Sequence, residues 1–598
     1  MKKSVYIFGK PYFKKDPSAY DIAIAFSKIA SKKWDTRLKT CHKSMFSFIL
    51  WGLLCMSCTN TTTTKKNIDP TTATKDVSQK FEWKAATVYF LLTDRFYNGD
   101  KENDLNFKRD QETDVLRGFE GGDIKGVTKK IQEGYFSDLG IHAIWLTPVV
   151  EQVHGVVDEG TGATYGYHGY WTKDWTALDP NFGTKKDLKE MVDAAHAKGI
   201  RVLLDAVINH TGPVTASDPI WTNWVRQGAI CDFKNYEGNT SCDLVANLPD
   251  IITNSDQEVE LPEHLVKKWK DEGRYEEEVA ALDLFFKTSG LPKAPRFYIM
   301  KWLSDYITDF GIDGYRCDTV KHTEPDIWKE FSTICDAAFL QWKQENPTKV
   351  IDDTEFYLVG EVYHYNASNG IQYDYGDKKV DYSKYGFDAL INFDLKNQKN
   401  GTYQTVFEKY DTFFQNEFKE FSLLNYMSSH DDMEPFDPKR INPYQTATKL
   451  LLCPGAAQIY YGDEVGRSLI IPETQGDATL RSIMDWEAIT TNFEKQKLLT
   501  HWQKLGSFRH KHNAIGAGNH FHIQDTPYVF ARTRTEQNYK DTVIIGLEFS
   551  KGQKKIPVNH FFEEGDTVID TYSGTKAIVT NNEILLHTPF DIVLLEKE

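Results

Sequence analysis

The sequence predicts an α/β protein: a (β/α)8 TIM barrel with an inserted subdomain after strand 3 and a C-terminal antiparallel β-sandwich. Short β-rich apolar runs alternate with helical patterns between residues 83 and 507, which is typical of βα units around a parallel sheet. Eight such runs fit a closed barrel with insertions better than an open doubly wound sheet. After residue 520 short alternating runs indicate an antiparallel sandwich.

Composition excludes several classes of protein. The 598 residues are 40% hydrophobic and 26% charged, which excludes a collagen-like, wholly disordered or multi-spanning membrane protein. The net charge of -16 argues against nucleic acid or acidic lipid as a main partner. We therefore expect a neutral ligand and no nucleic-acid partner. The 14 Trp, 30 Tyr and 36 Phe supply flat apolar faces that permit carbohydrate binding without demonstrating it.

An export segment is predicted at the N-terminus. Residues 45–58 (MFSFILWGLLCMSC) form an apolar run after Lys39 and Lys43 that is too short to span a bilayer comfortably and is typical of a secretory signal. Ser57 before Cys58 resembles a bacterial lipoprotein cleavage site, which implies a lipid anchor at Cys58; the alternative is an ordinary cleaved signal. We assign residues 1–58 to export and the Thr-rich stretch 59–82 to a flexible linker.

The barrel elements follow in order. The predicted strands are 87–92, 143–147, 202–208, 314–318, 357–362, 389–393, 422–427 and 458–461. Leu188, Met191, Val192 and Ala195 have helical spacing, and Gly199 provides the stop before the next strand. We assign 83–210 and 297–515 to the barrel, 211–296 to inserted subdomain B, because it is far longer than an ordinary βα loop, and 516–598 to the sandwich.

Cysteine positions suggest one crosslink. Cys231 and Cys242 are close enough in a loop-rich stretch to form a disulfide in an exported protein. Cys317, Cys335 and Cys453 lie in apolar surroundings, where buried free thiols are expected.

Four carboxylates stand at the predicted strand ends: Asp205, Asp318, Glu361 and Asp431. A (β/α)8 barrel carries its chemistry at the C-terminal ends of its strands. Any one of these carboxylates is more simply a helix N-cap. Four together, three of them beside Arg or His, indicate a catalytic site.

These segments resemble the signature regions of the α-amylase family of glycoside hydrolases. The matching regions are DAVINH (205–210), GYRCDTVKH (314–322), Gly360 with Glu361, and His430 with Asp431; supporting segments are GIHAIWLTPV (140–149), GYHGYW (166–171), LPD (248–250) and PGAAQIYYGDE (454–464). Within the family, the segment 87–100 looks most like periplasmic, maltodextrin-active bacterial enzymes.

The resemblance implies roles for individual residues. Asp318 is the expected nucleophile, Glu361 the general acid and then base, and Asp431 the carboxylate that holds the distorted sugar ring. The expected substrate-binding residues are Tyr167, which stacks beneath the sugar, with Asp205, His210, Arg316, Lys321, His322 and His430. Arg316 shares a strand face with Asp318 and would keep it ionised. We expect the pKa of Glu361 to be raised by burial and neighbouring carboxylates.

Two loops are candidates for a structural calcium site. Asn98, Asp100, Asn103 and Asp104, with Gly121 and Asp123, gather the hard oxygen ligands that Ca²⁺ prefers, and they resemble a calcium site of bacterial α-amylases and cyclodextrin glucanotransferases. Asn209 resembles a ligand of a second calcium. Ser429 stands where the family commonly has Asn, a chloride ligand in some members, so chloride activation is not expected.

The leading prediction is a retaining hydrolase that cleaves α-1,4-glucosidic bonds in starch, glycogen or maltodextrins. One alternative is an α-glucanotransferase or a neopullulanase- or cyclomaltodextrinase-like enzyme on the same scaffold, because the triad does not decide which acceptor takes the sugar. A second is a non-catalytic starch-binding homologue. We expect a monomer in the bacterial cell envelope, periplasmic or lipid-anchored in the outer membrane.

Overall fold

The computed structural model describes residues 80–598 except 159, 227, 537 and 538, together with the backbone of a short strand pair, Val5–Ile7 and Lys10–Tyr12. The predicted signal, lipid-anchor position and most of the linker lie outside the described residues. In the part of the chain that is described, no helix is both long and apolar enough to cross a membrane.

Eight parallel strands close into a barrel, which confirms the predicted fold class. Each strand pairs with its neighbours in chain order, and the last pairs with the first. The strands are Thr87–Leu91 (β1), Ala143–Leu146 (β2), Arg201–Ala206 (β3), Gly314–Cys317 (β4), Tyr357–Gly360 (β5), Ala389–Asn392 (β6), Ser422–Tyr426 (β7) and Ala456–Tyr460 (β8). Every residue of these strands is buried, because helices cover a parallel barrel on its outside.

Seven long helices follow barrel strands, one after each strand except β5. They are Ile124–Glu133, Lys185–His196, Pro295–Phe310, Pro325–Glu345, Tyr403–Gln415, Pro443–Leu452 and Phe493–Lys511, with shorter helices at Thr93–Phe96, Tyr135–Asp138, Trp486–Thr491 and Asn513–Ala517. The helix predicted from Leu188 to Ala195 begins at a capping box in which Thr184 and Asp187 satisfy each other's backbone N–H groups.

The connection from β5 to β6 departs from the expected repeat. Residues 361–388, all of them described, contain no α-helix; they hold short 3-10 turns and a hairpin of Tyr373–Asp374 and Lys379–Val380. The hairpin lies next to the cleft described below, because the Tyr373 hydroxyl is 3.4 Å from the Lys321 ammonium, which lines that cleft.

The region between β3 and β4 contains the helices Glu237–Thr240, Glu263–Asp271 and Tyr275–Ser289. The predicted Cys231–Cys242 disulfide is present, and Cys317, Cys335 and Cys453 are buried free thiols. Lys268 pairs with Asp174 at 2.8 Å, which links this region to the strand Thr172–Leu178. Trp269 packs edge-on against Trp302 of the barrel helix Pro295–Phe310, with ring centroids 6.1 Å apart.

The C-terminal region is antiparallel, as expected. A six-stranded sheet and a two-stranded sheet are formed by Asn519–Gln524, Tyr528–Glu536, Tyr539–Leu547, Gly552–Pro557, Thr567–Asp570, Thr575–Ile578, Glu583–Thr588 and Val593–Lys597. Inward-facing side chains such as Ile544, Ile556, Ile584 and Leu595 form a separate core between the sheets.

Candidate active site

A cleft of about 980 Å³ opens where the carboxyl ends of the barrel strands converge. Asp318 follows β4, Glu361 follows β5, and Asp431 follows β7, and all three carboxylates line this cleft. Lys321, His322, His210 and His430 also line it. Residues more than 200 positions apart in sequence therefore meet at the mouth of the barrel, as the strand-end pattern indicates.

A single buried guanidinium joins the central carboxylates. Arg316 in β4 contacts Asp318 at 2.5 Å, Asp205 of β3 at 2.9 Å and Glu361 at 3.5 Å. Parallel register places Asp205 directly beside Arg316, and Asp318 lies two residues along the strand, on the same face. Asp318 and Glu361 therefore lie on opposite nitrogens of one cation and face one cavity.

Glu361 is in an environment that favours its protonated form. Desolvation by burial is the largest cause, and together with the charges of Asp318 and Asp431 it raises the pKa of Glu361 to about 8, against the opposing effect of Arg316. The backbone N–H of Thr319 donates to Glu361 at 2.9 Å, which fixes the carboxyl group. At neutral pH Glu361 therefore has a proton to donate.

Asp205 and Asp431 differ in their surroundings. Burial raises the pKa of Asp205 to about 7, and its outer oxygen accepts hydrogen bonds from Tyr170 Oη at 2.8 Å and Trp145 Nε1 at 3.2 Å. Although it was expected to bind substrate, Asp205 does not line the cleft. Its carboxylate contacts the Arg316 guanidinium instead. Burial also raises the pKa of Asp431, whose carboxylate accepts from Ser429 Oγ at 3.3 Å.

The histidines of the cleft are held in fixed positions. His430 stacks on Tyr170 with ring centroids 5.2 Å apart, and His210 Nε2 lies 3.2 Å from the carbonyl oxygen of Tyr170. Burial lowers the pKa of both histidines, so both are neutral at pH 7. On the opposite side, Lys321 lies 3.4 Å from the Tyr373 hydroxyl, and His322 Nδ1 lies 2.8 Å from the carbonyl oxygen of Asn239.

The structure places Tyr167 away from the cleft, in contrast to the sequence-based expectation. Tyr167 is fully buried against the Arg95 guanidinium, 3.9 Å from its ring centroid. Tyr170, three residues later, lines the cleft instead. Both tyrosines belong to the motif GYHGYW, and the chain turns between them at Gly169, whose φ is 94°. Tyr170, and not Tyr167, is therefore the tyrosine of this motif that lines the cleft.

Several residues that line the cleft are not among the predicted site residues. They are His168, Trp171, Phe233, Tyr363, Arg117, Asp477 and Arg481. His168 and Trp171 belong to the motif that contains Tyr167, which was the available signal. Asp477 and Arg481 pair at 2.5 Å, and Arg481 donates to the carbonyl oxygen of His430 at 2.9 Å. Nothing in their local sequence distinguishes them from an ordinary surface turn.

The two loops predicted to bind calcium do meet. Across the described residues there is no cluster of three or more His, Cys, Asp or Glu side chains suited to a metal, but the predicted set depends mainly on Asn and backbone oxygens. The side-chain oxygens of Asn98 and Asn103 are buried without a hydrogen-bond partner, and a Cβ at Gly121 would meet the side chains of Asn98 and Asp104. Unpartnered buried oxygens beside Asp104 fit a hard cation.

Three predicted ligands have other partners. Asp100 pairs with Lys125 at 2.5 Å, and the two carboxylate oxygens of Asp123 accept backbone N–H bonds from Gly99, Asp100 and Gly126. The Asn209 amide donates to Asp250 at 2.7 Å and to the carbonyl oxygen of His322 at 3.1 Å. The side chains of Asp100 and Asp123 therefore shape the first loop, and Asn209 joins the inserted region to the barrel.

A closed (β/α)8 barrel whose mouth holds two carboxyl groups on one buried guanidinium, one of them with a raised pKa, is typical of glycoside hydrolases that act through an acid and a nucleophile. The family of alpha-amylase catalytic domains matches residues 90–518. The chain belongs to this α-amylase family, whose members are typically retaining glycoside hydrolases.

Known relatives agree with this assignment. The chain is 34% identical to the periplasmic α-amylase of Escherichia coli over 503 residues, which are 75% of this chain and 70% of that protein. It is 27% identical to a cyclomaltodextrin glucanotransferase of Geobacillus stearothermophilus over 79% of this chain and 60% of that protein. An Anoxybacillus α-amylase structure shares the fold with a TM-score of 0.60 and 23% identity, covering 87% of this chain and 99% of that one.

Proposed function

We propose that this protein hydrolyses α-1,4-glucosidic bonds in starch, glycogen or maltodextrins by double displacement with retention. The observation that carries the proposal is the contact of one guanidinium, that of Arg316, with both Asp318 and Glu361 at the mouth of the barrel. A retaining mechanism needs a carboxylate and a carboxylic acid close together around one bond.

In the first step Asp318 attacks the anomeric carbon while Glu361 gives its proton to the leaving glycosidic oxygen. The bond between that carbon and oxygen breaks, and a covalent glycosyl-Asp318 intermediate forms. In the second step Glu361 takes a proton from water, whose oxygen attacks the same carbon and releases Asp318. Two inversions give net retention.

The remaining cleft residues bind the sugar around the cleaved bond. Asp431 and His430, in the connection after β7, and His210, in the connection after β3, line the cleft and have the donors and acceptors that sugar hydroxyls need. The Tyr170 ring, held by its hydrogen bond to Asp205, supplies a flat face for stacking. Lys321 and His322 also line the cleft, and the family resemblance implies that they contact the leaving group.

A time course with soluble starch and with pullulan tests the proposal. We expect starch to be cleaved to maltooligosaccharides and pullulan to be resistant at its α-1,6 linkages, measured by product chromatography. Transfer products longer than the starting oligosaccharide would favour the glucanotransferase alternative. No product from either polymer would contradict catalysis and favour the binding-protein alternative.

The Glu361→Gln variant tests the general acid directly. Turnover of starch should fall by at least about 100-fold because a positioned acid contributes that much or more, while oligosaccharide binding measured by calorimetry persists. Glu434→Gln is the matched control, since the Glu434 side chain is 81% exposed. Wild-type turnover by the Glu361 variant would refute its assignment.

The proposal includes a structural calcium ion. We assign one structural Ca²⁺ to the loops of Asn98, Asn103, Asp104 and Gly121, where it would neutralise Asp104 and take the two unpartnered amide oxygens. Asn209 remains a candidate at a second site.

The apolar leader with Cys58 and the similarity to a periplasmic enzyme support export to the cell envelope, with a lipid anchor at Cys58. We expect a monomer.

A further inference from the structure

The connection after β7 carries Asp431, and the contacts of the Asp431 carboxylate are weak. In the described part of the chain two groups reach it, Ser429 Oγ at 3.3 Å and His430 Nδ1 at 3.6 Å. Both groups belong to the same short segment as Asp431 and would move with it. The position of this carboxylate in the cleft therefore depends on how the backbone of the segment is held.

The next residue, Asp432, ties this segment to its surroundings. Its side chain is 6% exposed, and its carboxylate accepts hydrogen bonds from the Tyr426 hydroxyl of β7 and, at 3.0 Å, from the backbone N–H of Glu434. The Lys396 ammonium lies 2.8 Å from each of the two carboxylate oxygens. The segment is therefore joined both to its own strand and to the connection after β6.

Lys396 is itself presented from a fixed turn. It lies in the 3-10 turn Leu395–Asn397, shortly after β6, and its side chain is 5% exposed. The turn begins at Asp394, whose carboxylate accepts hydrogen bonds from Lys409 at 2.9 Å and from Tyr410 at 3.1 Å, both in the following helix. Because a buried charge is costly to leave without its partner, the ammonium holds the carboxylate that it contacts.

The ion pair reaches the substrate only through Asp431. Neither Lys396 nor Asp432 lines the cleft, so neither contacts the sugar. Burial raises the pKa of Asp431, and the charge of Asp432 adds to this rise. The Lys396 ammonium compensates that charge and therefore also favours the ionised form of Asp431.

We propose that Lys396 is a positioning residue that acts through Asp432: the ion pair fixes the segment after β7 so that the Asp431 carboxylate faces the sugar. This inference rests on the proposed glycosidase function, in which Asp431 binds the sugar around the cleaved bond. Two charges outside the cleft then set the position of one carboxylate inside it.

A double-mutant cycle with Asp431 separates positioning from general damage. Lys396→Met is made in the wild-type protein and in the Asp431→Asn variant, and kcat is measured with α-maltosyl fluoride, whose reactive leaving group keeps slow variants measurable. Lys301→Met is the matched control. Lys301 is also a buried lysine, 7% exposed and paired with Asp305, but it lies in the helix Pro295–Phe310 on the outside of the barrel.

Lys396→Met should lower kcat about tenfold in the wild-type background, because a displacement of about 1 Å can cost ~100-fold and a smaller one is expected here. When Asp431 is already replaced, Lys396→Met should change kcat by less than about twofold, since the carboxylate that it positions is then absent. Lys301→Met should leave kcat unchanged in both backgrounds. Equal losses from Lys396→Met in both backgrounds, or an unchanged kcat in the wild-type background, overturn the proposal.

Asp432→Asn tests the residue through which Lys396 acts. The amide oxygen can still accept from Tyr426 and from the Glu434 N–H, but the charge that holds Lys396 is lost, so kcat should again fall about tenfold. Adding Lys396→Met should then cost less than about a further twofold. A multiplicative loss, or no loss in Asp432→Asn, would overturn the proposal.

A second variant covers a failure to fold. Should Lys396→Met not fold, Lys396→Arg takes its place in the same cycle with the same criterion, because it keeps the charge but not the geometry of the ammonium. A wild-type protein inactive on both starch and α-maltosyl fluoride would instead remove the proposed function.

Discussion

The protonation of Glu361 is set by burial and by three charged neighbours. Burial makes its ionisation unfavourable, the carboxyl groups of Asp318 and Asp431 add to this, and the Arg316 guanidinium opposes it. The resulting pKa of about 8 implies that kcat/KM falls as the pH rises through this value, because the general acid loses its proton.

A change at Asp431 should move this alkaline limit. Asp431→Asn removes a negative charge that raises the pKa of Glu361, so the alkaline limb of the residual activity should shift to lower pH by a fraction of a unit or more. The measurement is kcat/KM against pH on a maltooligosaccharide, with Glu434→Gln as control. An alkaline limb that stays in place or moves to higher pH would show that Asp431 does not act on Glu361 through its charge.

Site residues that directly follow barrel strands could be predicted from the sequence. Site residues whose position depends on the conformation of a loop could not. Asp318, Glu361 and Asp431 could be placed because a parallel barrel brings all strand ends to one mouth. The motif GYHGYW contains both Tyr167 and Tyr170, and its sequence does not show which of the two rings lines the cleft. Phe233, Asp477 and Arg481 reach the cleft through long-range packing, which no local pattern encodes.

At the scale of elements, the loops around Asn98 and Gly121 carry the clearest test of calcium. Removal of calcium by EDTA should lower the thermal midpoint by a few degrees, because binding only to the folded state stabilises it. Asn103→Ala should reduce this calcium-dependent shift, since it removes one of the two unpartnered buried oxygens. Calorimetric melting with and without calcium makes the comparison.

Asn416→Ala is the control for this test, because Asn416 is an exposed amide at the end of the helix Tyr403–Gln415. It should leave the calcium-dependent shift unchanged. Identical melting curves with calcium and with EDTA in the wild-type protein would count against the site.

The elements themselves were largely predictable, and their edges were not. β8 begins two residues before its predicted start because Ala456 and Ala457 have no β-branched or aromatic side chain to mark them. The missing helix between β5 and β6 could not be foreseen, because its tyrosine-rich segment carries no clear period. The capped helix at 185–196 was visible because its apolar spacing and its glycine stop agree.

At the scale of the whole molecule, a buried histidine joins the barrel to the C-terminal sheets. His512, directly after the last barrel helix, contacts Asp541 at 2.8 Å and Glu596 at 2.7 Å. Burial opposes its charge, but the hydrogen bonds to the two carboxylates outweigh burial and raise the pKa of His512. Lys511, next to it, also pairs with Glu596 at 2.6 Å.

This contact should make the stability of the protein depend on pH. A histidine whose pKa is raised in the folded state stabilises it fully below the ordinary value of about 6.5, and the stabilisation is lost as pH rises through the folded-state pKa. His512→Gln should therefore lower the thermal midpoint more at pH 6 than at pH 9, measured by calorimetry. His560→Gln, an exposed histidine in the same region, serves as control, and an equal decrease at both pH values would contradict a charged His512.

Because Asp318 lies beside Glu361, the pKa of Glu361 should change in the course of the proposed reaction. While Asp318 is an anion its charge strengthens the hold of Glu361 on its proton. Once Asp318 is esterified by the sugar that charge disappears, whereas the nearby guanidinium remains and favours the glutamate anion. The pKa of Glu361 therefore falls when Asp318 carries the sugar, which is the step in which Glu361 has to act as a base. Esterification of Asp318 thus couples the protonation state of Glu361 to the progress of the reaction.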